Sequence, residues 1–204
     1  MCGRLATVAC LECLDSIVKT AKPVCLHCLR PIPCMVHGEA APFLVYGAMH
    51  RGLAKRLVHR FKYEGHRALG RQMGKALARN MTVPAVVDVI VPVPLHRKSD
   101  RPYNQALELA CGMSEIWEIP VANVLQWALE GKRQVEKTAR ERKELPLNAL
   151  IFSGSPGALC GKKALVVDDV STTGTTLKRS VEVLQRNGVK VPGAVVWTRV
   201  PDKE

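Results

Sequence analysis

The chain has 204 residues, enough to bury a full core, and its 47% hydrophobic and 24% charged residues exclude an intrinsically disordered polymer. Lysine and arginine number 30 against 18 acids, a net charge of +12 that departs from a neutral metabolic enzyme and points to an anionic partner, either nucleic acid or a polyphosphate substrate. The most apolar stretch, residues 83–95, is broken by Asp88 and three prolines, so no membrane span is expected. The N-terminus lacks the basic-then-apolar order of a secretory signal, which makes a cytoplasmic protein the expectation.

Six of the eight cysteines fall in the first 34 residues, as Cys2, Cys10, Cys13, Cys25, Cys28 and Cys34. In a reducing compartment such a cluster argues for metal before disulfide. Cys10-x2-Cys13 and Cys25-x2-Cys28 are separated by eleven residues, a distance that suits the two knuckles of a tetrahedral, structural Zn²⁺ site, and spacing favours this pair. A second partition stays open, in which Cys25, Cys28, Cys34 and His37 close one site locally. A closed four-ligand site folds a segment too small to hold itself together and leaves no position for catalysis. The turn-rich stretch around Pro33–Phe43 then sets a boundary near residue 40, giving a zinc-ribbon-like segment over 1–40 and a larger domain over 41–204.

Beyond that boundary, short β-branched runs alternate with helical patterns. Residues 43–49, 86–93, 164–169 and 193–200 read as strands, whereas 52–63, 68–80, 104–117 and 175–188 read as helices. This alternation predicts an α/β domain with a mostly parallel sheet flanked by helices, in which ligands gather beyond the carboxyl ends of the strands. His59, Lys62 and His66 read as surface residues of amphipathic helices, and Cys111 and Cys160 as buried or inert thiols. Residues 132–145 are dense in charge and rich in helix formers, consistent with a solvated helix or with a lid that closes over a reactive intermediate.

One stretch carries chemistry. The apolar run Ala164–Val167 passes straight into Asp168 and Asp169, and then into Ser171, Thr172, Thr173, Gly174, Thr175 and Thr176 at the start of a helix. Carboxylates repel phosphate, yet a Gly/Thr loop opening a helix attracts it through its amides and hydroxyls. No GxxxxGK[ST] sequence is present, so this is not a Walker loop. A sugar phosphate answers both demands, with vicinal hydroxyls on the carboxylates and its phosphate on the loop.

On these residues the chain resembles the type I phosphoribosyltransferases, whose signature is an apolar strand, two acids and a small-residue loop. Within them it is similar to the ComF family of competence-associated proteins, through the N-terminal CxxC knuckles, FKYEGHRALGR (61–71) and VPVPLHRKSDRPYNQA (91–106). Pro102-Tyr103 stands where that family has Gly-Phe, Cys2 alone remains of its first CxxC, and His37 takes the place of a cysteine. Gln134 and Arg142 match the family's hood in spacing, whereas Leu145 replaces an asparagine.

The resemblance implies binding of 5-phosphoribosyl 1-diphosphate with Mg²⁺. It assigns the ribose hydroxyls to Asp168 and Asp169, and the 5-phosphate to residues 171–176. Pyrophosphate falls to the loop of Val91, Pro92, Val93 and Pro94, with His96, Arg97 and Lys98 supplying charge just after it and Arg101 near enough in sequence to join them; a solvated basic turn is the alternative reading of His96, Arg97 and Lys98. Asn104 and Gln105 join this substrate-binding set, although an asparagine at that position also suits a helix cap. The family implies a role in DNA uptake, with single-stranded DNA and a competence helicase as partners. Two functions follow: pentosyl transfer to an acceptor, or a non-catalytic adaptor that keeps the ribose-phosphate pocket. Aromatic residues make up only 4% of the chain, so DNA contact would be dominated by phosphate rather than base stacking.

Overall fold

Side chains on successive strand residues point to opposite faces, and here that alternation builds two cores from one sheet. In the computed structural model, which describes residues 9–19, 22–82, 85–97, 99–128 and 150–201, the central strands are β2 (Phe43–Met49), β3 (Val89–Pro92), β6 (Lys163–Ser171) and β7 (Lys190–Arg199). Val45, Ile90, Leu165, Val167, Val195 and Trp197 enter one core, whereas Leu44, Val89, Val91, Val166, Ala194 and Val196 enter the other. Each of these residues is nearly or wholly buried. Strands buried on both faces read as continuous apolar runs, which is how they appear in the sequence.

The sheet order is β1-β2-β7-β6-β3. The ladders β2–β7, β7–β6 and β6–β3 are parallel, and the two-residue β1 (Val24–Cys25) joins the edge antiparallel to β2 through Val24↔Leu44 and Cys25↔Phe43. All strands expected from sequence are present. β6 differs at one end: it runs on to Ser171, with Val170 opposite Thr198 and Ser171 opposite Arg199, so both aspartates lie inside the ladder rather than at its close.

The first core is covered by α1 (Leu11–Asp15), α2 (Gly52–Tyr63), α3 (Arg67–Asn80) and α4 (Gln105–Trp117). In α2 the buried residues are Ala54, Leu57, Val58 and Phe61, the helical spacing of one apolar stripe. α3 and α4 approach unusually closely, since a methyl on Gly74 would stand 2.1 Å from the Leu109 carbonyl oxygen and one on Gly112 would stand 2.1 Å from that of Arg71. That approach lets Arg67 and Arg71 of α3 reach Glu108 of α4 at 2.6 and 3.0 Å. Glu108 is only 1% exposed, and a buried carboxylate is tolerable when paired in this way.

The second core is covered by α5 (Thr175–Arg186) and by a small antiparallel hairpin of β4 (Leu125–Trp127) and β5 (Leu150–Phe152). The hairpin has no counterpart among the sequence expectations, because each strand is three residues long and buries only one leucine, Leu125 or Leu150. The stretch between them, with Gln134, Arg142, Leu145 and the expected lid over 132–145, lies outside the described residues.

Ahead of β2, the chain is tied to the larger domain at several points. Ala9, Leu14 and Val18 are buried in the first core, and the Lys19 amide donates to the Gly47 carbonyl at 2.8 Å. Among the described residues no helix is long and apolar enough to cross a membrane.

Candidate functional site

The site forms where β6 meets α5, at the carboxyl end of the parallel strands. Because neighbouring strand residues diverge, Asp168 and Asp169 leave the backbone on opposite sides. Asp169 turns toward α2, where Lys62 Nζ lies 2.9 Å from its Oδ1 and Arg101 Nη1 lies 3.9 Å from its Oδ2. The Asp169 Oδ2 atom is buried and accepts no hydrogen bond. Asp168 bends back so that its Oδ1 accepts the Asp169 amide at 2.8 Å. Burial, reinforced by the neighbouring Asp169 charge, pushes the Asp168 carboxyl up to about 7 despite that amide and the nearby Lys62 and Arg101.

After Ser171, which is buried, Thr172 and Thr173 are exposed and Gly174 takes φ 72°, a left-handed value that glycine adopts without penalty. α5 then starts at Thr175. Gly174 offers no side chain to cap it, while the Thr173 and Thr175 hydroxyl oxygens lie 2.8 Å apart and the Thr175 amide donates to Thr173 Oγ1 at 3.4 Å. A loop of hydroxyls and a helix start without an acidic cap favour an anion.

A cleft of ≈ 280 Å³ brings the acids together with Thr176, Lys62, Arg101 and Gln105. One wall is the Val93–Pro94 turn beyond β3, whose carbonyls are fixed from two sides. Asn104 Nδ2 donates to the Val93 oxygen at 3.0 Å, and Trp127 Nε1 donates to the Pro94 oxygen at 3.0 Å. Asn104 also caps α4, its side-chain oxygen accepting from the Ala106 and Leu107 amides, so it is both the cap and the clasp of this turn. Gln105 is 1% exposed; its Oε1 accepts from Arg101 Nη1 at 2.8 Å, and its Nε2 has no partner. The cleft thus contains a buried donor and a buried acceptor, Asp169 Oδ2, that make no hydrogen bond, a combination that hydroxyl groups satisfy.

Of the cations expected here, Arg101 lines the cleft, Arg97 is exposed and does not, and Lys98 lies outside the described residues. Pro92 is the last residue of β3, paired with Val167, while Val93 and Pro94 line the cleft. The reading of Lys62 as a surface residue is corrected: its side chain is 17% exposed and its ammonium is spent on Asp169. Its signal lay in the Lys-Tyr pair at the end of the helix, which the resemblance had marked. His59 is exposed, as expected. Trp127 gave no signal, because it sits on a hairpin too short to show a period; its ring meets that of His96 edge-on at 4.7 Å. Cys160 is exposed rather than buried.

Among the described residues, three cysteines and a histidine form one local cluster. The ligand atoms of Cys25, Cys28, Cys34 and His37 all lie within 4.8 Å of one another. Cys28 and Cys34 Sγ are 3.5 Å apart, and His37 Nδ1 lies 3.6 Å from Cys25 Sγ and 3.5 Å from Cys34 Sγ. An ion about 2.3 Å from each sulfur at tetrahedral angles holds its ligands roughly 3.8 Å apart, so this Cys3His set is compatible with structural zinc. Burial alone would raise the Cys34 thiol, but hydrogen bonds from the His37 amide and ring hold it at about 6, which favours the thiolate that a metal needs. The pairing favoured by spacing is not the one assembled, since Cys10 and Cys13 stand at the start of α1 and on it, outside this cluster.

Residues 108–204 match the family of the phosphoribosyl transferase domain. Competence protein F of Haemophilus influenzae is 25% identical over 211 residues, covering 89% of this chain and 92% of that protein. Among solved structures, a glutamine phosphoribosylpyrophosphate amidotransferase from B. subtilis, complexed with ADP and GMP, is 24% identical with a TM-score of 0.45, covering 63% of this chain and 26% of that one. The orotate phosphoribosyltransferase of Aeropyrum pernix is 21% identical with a TM-score of 0.39, covering 71% of this chain and 64% of that one. The chain therefore spans about a quarter of the amidotransferase that it matches. The chain is therefore similar to a competence protein along nearly its whole length, and over residues 108–204 to the phosphoribosyl transferase domain.

Proposed function

We propose that the protein binds 5-phosphoribosyl 1-diphosphate and transfers its ribose 5-phosphate to an acceptor. The observation that carries this reading is the single cleft in which Asp168, Asp169 and Thr176 meet Lys62, Arg101 and Gln105. The carboxylates take the ribose hydroxyls, residues 171–176 take the 5-phosphate, and Arg101 supplies positive charge for pyrophosphate. Transfer breaks the bond from C1 to the pyrophosphate oxygen, whose electron pair leaves with pyrophosphate, while a lone pair on the acceptor forms the new bond at C1. No covalent nucleophile is needed from the protein, so positioning and charge are sufficient. The buried, unpartnered Asp169 Oδ2 and the adjacent Asp168 fit a hydrated Mg²⁺, which when bound would neutralise pyrophosphate.

A second reading is favoured by the net charge of +12 and by the exposed Arg51, Lys55 and Arg56 along the start of α2. The name of the Haemophilus influenzae relative associates the protein with competence. On this reading the protein serves DNA uptake as an adaptor for single-stranded DNA and a helicase, and retains the pocket. Binding of an oligothymidine measured by fluorescence anisotropy should weaken by about tenfold or more between 50 and 200 mM salt. An affinity indifferent to salt would remove this reading.

For the transferase reading, titration calorimetry with 5-phosphoribosyl 1-diphosphate and Mg²⁺ should show binding that falls by at least about tenfold in the Asp168→Asn, Asp169→Asn double variant. Equal affinities would reject the pocket.

The raised Asp168 pKa gives a further expectation. An unfolded aspartate ionises near about 3.9, and the folded one at about 7, so the fold favours the protonated form. This group's stabilisation is fully present below its unfolded pKa and is lost as pH rises through 7. Urea midpoints measured for the native chain and for Asp168→Asn should diverge in favour of the variant from pH 4 to 7, and run parallel above that. A constant difference across this range would contradict the assigned burial.

A further inference from the structure

We propose that the Cys3His knuckle is the outer wall of the phosphate loop, so that metal occupancy and ribose 5-phosphate binding are thermodynamically coupled. This rests on the assignment of residues 171–176 to the 5-phosphate. The knuckle is anchored in the sheet: Cys25 pairs with Phe43, and the Leu26 amide donates to the Pro42 carbonyl at 2.8 Å. The Leu26 side chain is buried in the same core as Leu177, which belongs to the first turn of α5. Between the ligands Cys25 and Cys28 the chain turns outward, and this turn faces Ser171–Gly174 across a cleft of ≈ 270 Å³.

Two contacts cross that gap. Lys178 Nζ, one turn into α5, donates to the His27 carbonyl at 3.2 Å. Gly174 passes so near the knuckle that a methyl group on it would lie 3.9 Å from the Leu26 carbonyl oxygen. The turn is itself under constraint, because Leu29 holds φ 61° while its amide donates to the Cys25 carbonyl at 2.8 Å. A left-handed leucine is strained by its Cβ and persists where its surroundings fix it. Ligation of Cys25 and Cys28, on either side of His27, supplies that fixation. The His27 ring also packs on the ligand His37, with centroids 5.1 Å apart. Removing the metal frees the turn, and with it the carbonyls of Leu26 and His27 that border Gly174 and hold Lys178. A loop positioned less well loses affinity for the phosphate, and by linkage the bound phosphate must tighten the metal to the same degree.

The test is the zinc affinity of the full chain, read at equilibrium against a competing chromophoric chelator, with and without saturating ribose 5-phosphate. Tryptophan emission is followed in parallel, since Trp197 is fully buried in the first core. Ribose 5-phosphate should tighten zinc by roughly fivefold or more while the emission stays native. In Lys178→Met, which keeps the aliphatic stem, zinc stoichiometry should be unchanged and the tightening should shrink to less than about twofold. Calorimetry on zinc-loaded samples separates the two claims. Binding without any tightening overturns the coupling, whereas no binding overturns the phosphate-loop assignment on which it rests. Tightening that persists undiminished in Lys178→Met overturns the strut, and zinc loss in step with a change in emission shows global unfolding in place of a local wall.

Discussion

Two adjacent carboxylates inside a central β-strand set the terms for everything around them. Were they at the end of the ladder, water would solvate them; within it, Asp169 is 5% exposed and must be neutralised by protein. Lys62 meets this need from the last turn of α2, and Arg101 approaches from the loop before α4. The position of α2 over the sheet is therefore fixed by charge at one end as well as by its stripe of Leu57, Val58 and Phe61 along its length. Tyr103 adds a third tie, its hydroxyl donating to the Phe61 carbonyl, which joins the end of α2 to the loop before α4.

The same economy of partners shapes the opposite wall. Polar backbone that turns away from a parallel sheet must find new hydrogen bonds. At Val93 and Pro94 these come from Asn104 and Trp127, one on the start of α4 and the other on the hairpin. Three separate pieces of chain thereby converge on one small cleft. What they leave without a hydrogen bond within it is Gln105 Nε2 and Asp169 Oδ2, and a buried polar atom in that state is costly.

Much of this was legible in the residues. Strands buried on both faces declare themselves as runs such as Ala164–Val167, and helices such as α2 by an apolar stripe, because both signals are local and periodic. The acid pair followed by a hydroxyl-rich loop was visible for the same reason, since its residues are consecutive. Less accessible was anything set by tertiary distance. Spacing favoured Cys10 and Cys13 as partners of the second CxxC, yet Cys34 and His37 fold back on it while α1, which includes Cys13, packs against α3. Lys62 read as a surface residue because its helix is amphipathic, and only the approach of β6 reveals its carboxylate. Trp127 was invisible, since a three-residue strand has no period to detect.

The central claim is geometric: Asp168 and Asp169 hold a pentose while residues 171–176 hold its phosphate. A crystal structure of the zinc-loaded chain with ribose 5-phosphate tests this most directly. The account predicts the phosphoryl group on the amides and hydroxyls of Ser171–Thr176 and the ribose hydroxyls against the aspartates, with Gln105 Nε2 newly partnered. A ligand lodged elsewhere, with the Lys62–Asp169 pair and the loop as empty as before, would contradict it.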